Sequence, residues 1–478
     1  MSRSVRFLLL SGLAVIAAGL VIALGWARLG DSPTSASADA DDAVDADDAV
    51  DVEDTPTAPP ASVDAVAPID PVDPQSLGIS LEIDNTRAPL AEVAEQFRTR
   101  VAAAPDDHVS LTLLGSVLLS QAREDADLDL YSEAEAVAEQ VLELAPSSTD
   151  GQLLLINALA ARHEFAATLE ASSEILEREP DNVDALAALG DAQLSLGDTA
   201  AAEATFTKLA ELDRNAGVVS RLSRTAYLDG DTAQAADLAV ESLELAQGLP
   251  LRPSDAAFYW FQLGYVLFEG GDVEGSAAAL ENAVGIAPEH PGANELLGRV
   301  RSSQGRFDEA IAIYEGLLAR GPAADLHGEL ARLLRLGGND ADADTQVQLG
   351  LDLAAETMDS YPAERRHLAS FLVDHDPEAA VRLAETDLAE RQDAGAYDML
   401  GWSLHAAGRS AEADPLMQQA VANGPMSAEL FHRAGVVAAA VGDDERAIGL
   451  LDAALTLNPT FDPIDAPQAE DLLDELRG

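Results

Sequence analysis

The sequence contains no cysteine, which excludes disulfides, thiolate nucleophiles, cysteine-ligated zinc, iron–sulfur clusters, covalent haem attachment and a lipoprotein anchor. Stability must come from burial alone. Lysine is almost missing: Lys208 is the one lysine among 28 basic residues, so Schiff-base chemistry and lysine-dependent phosphate loops have little raw material. Aromatic residues make up 4%. The 47% of apolar residues are therefore chiefly Ala, Leu and Val, of which Ala and Leu favour helices. Positive charge is scarce throughout, with 85 acidic residues giving a formal net charge of -57 and a pI near 4.1. Such a surface excludes nucleic acid as a partner, because that binding needs basic patches.

One long apolar run stands near the start. Residues 7–27, FLLLSGLAVIAAGLVIALGWA, carry no charge, and at about 1.5 Å per residue a helix of that length crosses a hydrocarbon core roughly 30 Å thick. Arg3 and Arg6 precede it, whereas Arg28 alone separates it from a strongly acidic stretch. This asymmetry predicts a cytoplasmic stub and transmembrane anchor over 1–30, with everything beyond on the extracytoplasmic face of the cell membrane. Ala36-Ser37-Ala38 supplies the competing reading, a secreted or periplasmic form released by signal cleavage. Against that reading, the run exceeds the roughly 7–15 residues of a signal-peptide core. Residues 31–85 contain no basic side chain and include DADDAVDADDAVDVEDTPTAPP. That composition is too polar to bury a core and predicts a disordered acidic Asp/Ala/Pro linker that holds the remaining residues, 86–478, clear of the membrane.

The rest of the chain repeats itself. Gly264 and Gly298 are 34 residues apart, as are Gly271 and Gly305, Pro288 and Pro322, Gly401 and Gly435, Gly408 and Gly442, and Pro425 and Pro459. Within one unit, Trp260, Leu263 and Leu267 fall at helical spacing, Gly270-Gly271 breaks the helix, and a second helical pattern carries Leu280 and Ala283 to Pro288. Each unit is thus a helix hairpin. Glycine inside the first helix costs about 1 kcal/mol against alanine, which is tolerable where a second helix must approach closely.

These residues resemble the tetratricopeptide repeat family, whose pattern is Leu-Gly, an aromatic or Leu, Gly, Ala, an aromatic, Ala and finally Pro. Unit 291–323 carries Leu297-Gly298, Gly305, Phe307, Ala310, Tyr314 and Pro322. Units 394–427 and 428–461 match as well, through Gly401, Gly408, Ala413, Ala420 and Pro425 in the one and Gly435, Gly442, Ala447, Ala454 and Pro459 in the other. Extended backwards, the register gives units 108–148, 149–182, 183–215, 216–249 and 257–290, with 324–357 and a degenerate 358–393 between the better ones. Seven extra residues near EDADLDL and the segment PLRPSDA at 250–256 interrupt it, and Ile156 and Thr168 depart from the small-residue positions. The resemblance implies an all-α, right-handed α-solenoid of about ten hairpins, preceded by the transmembrane helix and acidic linker and closed by a capping helix over 467–477. The last third is similar to bacterial repeat proteins with no assigned activity, and residues 88–115 resemble the periplasmic repeats of membrane-anchored cytochrome c assembly factors.

A search for catalytic motifs finds no phosphate loop, no His-Glu-x-x-His and no nucleophile elbow. Thr205-Phe206-Thr207-Lys208 imitates a nucleophile motif, yet Phe206 stands at a core position of the repeat. The histidines are scattered; His405 and His432 are the pair that adjacent hairpins could bring together. No enzyme, cofactor or metal site is expected. The family resemblance implies that the first helix of each hairpin lines a concave groove, and the corresponding positions are Arg224, Tyr227, Phe258, Phe261, Tyr265, Phe268, Arg299, Arg332 and Arg335. This basic and aromatic strip is the expected anchor for acidic or carboxylate-ended peptides, with Asp398, Trp402, His405 and His432 as a weaker cluster. From residue 87 on there are 70 acidic and 25 basic residues, an excess that implies a salt-rich habitat or a positively charged neighbour. The function expected is that of a non-catalytic scaffold or adaptor for other proteins, or alternatively a periplasmic chaperone-like adaptor for secretion or envelope-complex assembly.

Overall fold

The computed structural model describes residues 66–84, 87–125, 127–358 and 365–478, and among them every regular element is a helix. A lone helix, α1 (Leu90–Ala103), is followed by ten hairpins. They are α2 (His108–Asp125) with α3 (Leu128–Leu144), α4 (Thr149–Ala161) with α5 (Phe165–Leu176), α6 (Val183–Ser195) with α7 (Thr199–Leu212), and α8 (Ala216–Leu228) with α9 (Thr232–Ala246). Next come α10 (Pro253–Glu269) with α11 (Val273–Ile286), α12 (Pro291–Ser303) with α13 (Phe307–Arg320), and α14 (Ala324–Leu336) with α15 (Asp340–Thr357). The last three are α16 (Arg365–Leu372) with α17 (Pro377–Glu390), α18 (Ala394–Ala406) with α19 (Ser410–Asn423), and α20 (Ala428–Ala440) with α21 (Asp444–Leu457). Helix α22 (Asp465–Arg477) closes the array by laying Ala469 and Leu473 on Leu451.

The hairpins are alike because the same local chemistry recurs. In the fifth, Gly271 takes the left-handed backbone at φ 86°, and the Asp272 carboxylate accepts the Gly275 N–H at 3.0 Å to cap α11. The pairs Gly197-Asp198, Gly230-Asp231 and Gly442-Asp443 repeat the device, and each such cap stabilises its helix by about 1 kcal/mol. Close packing follows from small residues: a Cβ on Gly264 would lie 2.7 Å from Leu280 Cγ. Where the second hairpin departs from the pattern, Ile156 and Thr168 are both fully buried and the hairpin still forms. The extra residues of the first unit lengthen its helices to 18 and 17 residues, where the first helix of most other hairpins has 13.

The array coils back on itself. The tight-turn edge of early hairpins meets the edge where later hairpins are joined. Arg123 and Glu124, ending α2, face Asp255 and Arg252 at the start of α10. The N–H of Gln392, between α17 and α18, donates to the Leu196 carbonyl at 3.3 Å. A Cβ on Gly271 would overlap the carbonyl oxygen of Leu457, and Ser303 at the end of α12 bonds to Thr460. About five hairpins complete a turn, and successive turns touch.

One expectation is corrected here. The linker expected over 31–85 does not stay free to its end, because residues 66–84 pack along the fifth hairpin. Ile69 N–H donates to the Gly270 carbonyl at 2.9 Å, Val72 N–H to Asp272 Oδ2 at 2.7 Å, and Asp84 N–H to the Leu251 carbonyl at 2.9 Å. Ile69, Val72, Leu77, Ile79 and Leu81 lie on the apolar cluster of α9, α10 and α11. The physical reason is the interrupting segment at 250–256, whose Leu251 pairs with Ile83 in an isolated bridge. The anchor expected over residues 7–27 lies outside the described residues. Among those that are described, no helix is long and apolar enough to cross a membrane.

Asp272 holds both a helix cap and this strap, whereas Asp231 caps α9 alone. Asp231→Ala should therefore cost about 1 kcal/mol, and Asp272→Ala about 1 kcal/mol more, because the Val72 N–H loses its acceptor. Denaturant unfolding measures both, and limited proteolysis should cut within 66–84 in the Asp272 variant only.

Candidate interaction surface

The first helices of the hairpins present their inner faces to the centre of the coil, and the next turn fills much of that centre. On α8, Arg221 is almost fully buried and donates to both oxygens of Asp191 on α6, at 3.0 and 2.8 Å. One helical turn along lies Arg224, half-buried, with its Nε enclosed and without a hydrogen-bond partner. Burial lowers its pKa from the usual arginine value, opposed by Tyr265, Asp191 and Asp393. Beside it the Tyr265 hydroxyl donates to Tyr227 at 3.4 Å and Tyr227 donates to Glu269 Oε2 at 3.2 Å, with the two rings edge to face at 5.4 Å. Burial raises the Glu269 pKa, against the pull of Arg299.

The remaining strip residues are already engaged. Arg299 lies over the Phe268 ring at 5.5 Å and donates to Glu429 at 3.0 Å, 130 residues later in the chain. Burial alone would lower the Arg299 pKa, but Glu429 and Glu269 reverse this and hold it above the usual value. Arg332 donates to Asp462 at 2.9 Å and to Asp465 at 3.2 Å. Arg335 pairs with Asp344 of its own hairpin at 3.0 Å, well exposed and away from the others. Phe261 and Phe268 are 2% and 3% exposed, Tyr227 is buried, and Phe258 is half-buried beside Tyr259. The expected wall of free rings and free cations is thus corrected: the rings are buried or half-buried, carboxylates of the next turn hold Arg299 and Arg332, and Asp344 holds Arg335, which leaves Arg224 without an ion pair among the described residues.

The C-terminal cluster does assemble. Arg433 donates to Asp398 at 2.7 Å, stacks over Trp402 at 5.7 Å and pairs with Glu429. Arg433 first, then Arg299 and Arg332, hold the Glu429 pKa down at about 2 against its burial. His405 stacks on Trp402 at 5.2 Å and His432 lies 6.4 Å from the same ring, so the indole separates the two imidazoles. Burial lowers the His432 pKa to about 4. The nucleophile-like motif is structural: Phe206 fills the space over Gly190, and Lys208 donates to the Pro180 carbonyl. Among the described residues no group of three acidic or imidazole side chains is arranged to hold a metal. Sequence reasoning missed the acidic partners Glu429, Asp462 and Asp465, since no local pattern marks a contact spanning 130 residues.

The comparisons with known proteins agree with this architecture. Residues 159–224 and 267–333 match one tetratricopeptide repeat family model, and residues 221–291 and 399–460 match another. The chain is a tetratricopeptide repeat protein. Putative cellulose synthase operon protein C from Escherichia coli O157:H7 is 28% identical over 236 residues, which is 47% of this chain and 19% of that protein. Cellulose synthase operon protein C from Escherichia coli strain K12 is 33% identical over 124 residues, 26% of this chain and 11% of that protein. The chain therefore spans less than a fifth of the length of these curated relatives. Among solved structures, the APC/C hetero-tetramer Cut9-Hcn1 is 16% identical with a TM-score of 0.38, covering 81% of this chain and 82% of that one. Naa15/Naa10 bound to HypK-THB is 18% identical with a TM-score of 0.28, covering 80% and 64%.

Arg299→Ala would leave Glu429 and Glu269 less compensated. Because the side chains of Arg299 and Glu429 are 29% and 36% exposed, the expected cost is about 1–3 kcal/mol, below the ~3–5 of a fully buried pair. Arg335→Ala, which breaks an exposed pair, should cost no more than about 0.5 kcal/mol. Glu429 titrates at about 2 when folded and at about 4.3 when unfolded. The stability it contributes is present above the upper value and lost as pH falls through the lower one. Denaturant titrations at neutral pH and at stepped acidic pH should show the Arg299 penalty shrinking across that window.

Proposed function

We propose that this tetratricopeptide protein is a non-catalytic interaction scaffold on the extracytoplasmic face of the cell membrane, tied to it by residues 7–27 and the acidic tract behind them. Its repeats take proteins or peptides as partners, and the inner face supplies the recognition. The observation that carries the reading is Arg224, a guanidinium of the inner strip with no ion-pair partner among the described residues, set beside the hydroxyls of Tyr227 and Tyr265. A fork-shaped donor of this kind suits a carboxylate, so the partner would present an acidic side chain or a chain end. The relatives named for a cellulose synthase operon support an accessory part in a larger assembly, and the membrane placement rests on the charge asymmetry around the apolar run.

Affinity capture from native membranes with the full chain should recover a partner that Arg224→Gln loses at least tenfold and Arg335→Gln retains; equal recovery by both variants would remove the inner-face assignment. The topology has its own check. External protease added to spheroplasts should degrade residues 90–478, and a shielded domain would place it on the cytoplasmic side.

A further inference from the structure

The contact that joins one turn of the coil to the next is left half-made at both ends of the array. Inside the chain, the tight-turn edge of the fifth hairpin seats the end of the tenth: Leu457, the last residue of α21, is 1% exposed and its carbonyl lies over Gly271. Leu144 and Leu212 are the last residues of α3 and α7, followed by the same bent backbone, with cap φ of -140° and -152° beside -146° after Leu457. Among the described residues no later hairpin is bonded to them, and each is 44% exposed. Their edge belongs to the first described turn. At the opposite end, Gly338, Gly408 and Gly442 occupy the turn position of Gly271, and a Cβ on any of them would meet no atom within 4 Å, as is also true of Gly305, whose neighbour Ser303 bonds to Thr460. Next to these glycines Leu336 and Val441 are exposed.

The distribution of exposed apolar groups makes the same point. Among the described residues, every strongly exposed large apolar side chain except Leu349 sits on one of these two edges: the joining edge of hairpins one, three and four, or the tight-turn edge of hairpins seven and ten. The helices that terminate the array, α1 and α22, pack on the apolar clusters of its end hairpins. Leu144 and Leu212 thus stand exposed at equivalent sites on the first and third hairpins, with Leu245 and Leu249 at the end of the fourth. We infer that the free tight-turn edge of one copy of this chain stacks on the free joining edge of a second copy, continuing between molecules the turn-on-turn contact made within one. Because the two surfaces differ, the contact is head-to-tail and propagates into a filament or ring and not a closed two-fold dimer. Like charge on both copies opposes it, so association strengthens as salt screens that repulsion.

The absence of cysteine makes the test clean. Leu212→Cys and Val441→Cys are introduced into the full chain, singly and together, and treated with a short bismaleimide at low salt and at about 1 M salt, where the screening length falls to about 3 Å. The double variant should give a ladder of dimers, trimers and longer species that grows with salt. An equimolar mixture of the two single variants should stop at the dimer, and each single variant alone should remain monomeric. A ladder-free double variant at both salt concentrations, or single variants that crosslink to themselves as well as to each other, would overturn the inference. Sedimentation velocity supplies a readout without crosslinker: Leu144→Asp with Leu212→Asp should abolish the salt-induced rise in mass while leaving the helical circular dichroism unchanged, and a rise equal to that of the unsubstituted chain would also overturn it.

Discussion

The seat of one superhelical turn on the next controls how this chain uses its residues. Repeats of this kind coil because each hairpin rotates slightly on its neighbour, and here the coil is tight enough for the loops after α17, α19 and α21 to press on the hairpins about five units earlier. Gly271 and the Leu457 carbonyl mark the point of closest approach. Once that contact is made, the inner faces of α8, α10, α12 and α14 look onto other protein and not onto open solvent. Arg299 and Arg332 then meet carboxylates of that turn, Glu429 and Asp462, while Arg221 is held by Asp191 of the preceding hairpin. Pairs of this kind return little net stability after desolvation, but they penalise any other register heavily. The turns are therefore aligned by charge and held by shape.

This arrangement also accounts for the outward character of the molecule. The chain has few cations, almost all arginine, and it spends many of them inside the coil, where a planar fork can hold a carboxylate with two bonds. The outside is left with the excess acid. From residue 87 on, 70 acidic residues stand against 25 basic ones, and the arginines that pair inside the coil leave the excess acid to the outer helices. Arg224 stands apart from this pattern: it has been carried inward like the others, yet its carboxylate neighbours Asp191 and Asp393 act on it only at longer range.

The hairpins were legible because their causes are local. A 34-residue spacing of Gly and Pro with small residues between them gives the count of ten in the sequence itself, although the register of 358–393, which lacks those glycines, is not fixed by it. What lay beyond reach was the pitch of the coil, a sum of small rotations that no single residue encodes. Phe261 and Phe268 occupy the positions expected to face a groove; they are core here, Phe261 among the hairpins on either side of it and Phe268 where Glu429 and Phe461 of the next turn close in. The strap was closer to legible. Leu77, Ile79, Leu81 and Ile83 alternate as a strand does, but composition over the whole acidic tract concealed four residues that obey a different rule. Acidic partners such as Glu429 carry no local signal at all, since their role is fixed by a helix 130 residues away.

The strap has a kinetic meaning as well as a structural one. Arrays of hairpins ordinarily behave as nearest-neighbour chains, which nucleate anywhere and fray from their ends. Val72 is bonded to a residue 200 positions away, and Arg87 to one 163 positions away, so the first four hairpins lie within a loop that the chain must close. Closing long loops slows folding without much altering final stability. While the strap holds, the first four hairpins are tethered at both ends to the fifth, so they do not peel away from it as a free N-terminal tail would. A polymer built for gradual unravelling is converted by some twenty residues of extended chain into a body that opens in larger cooperative steps.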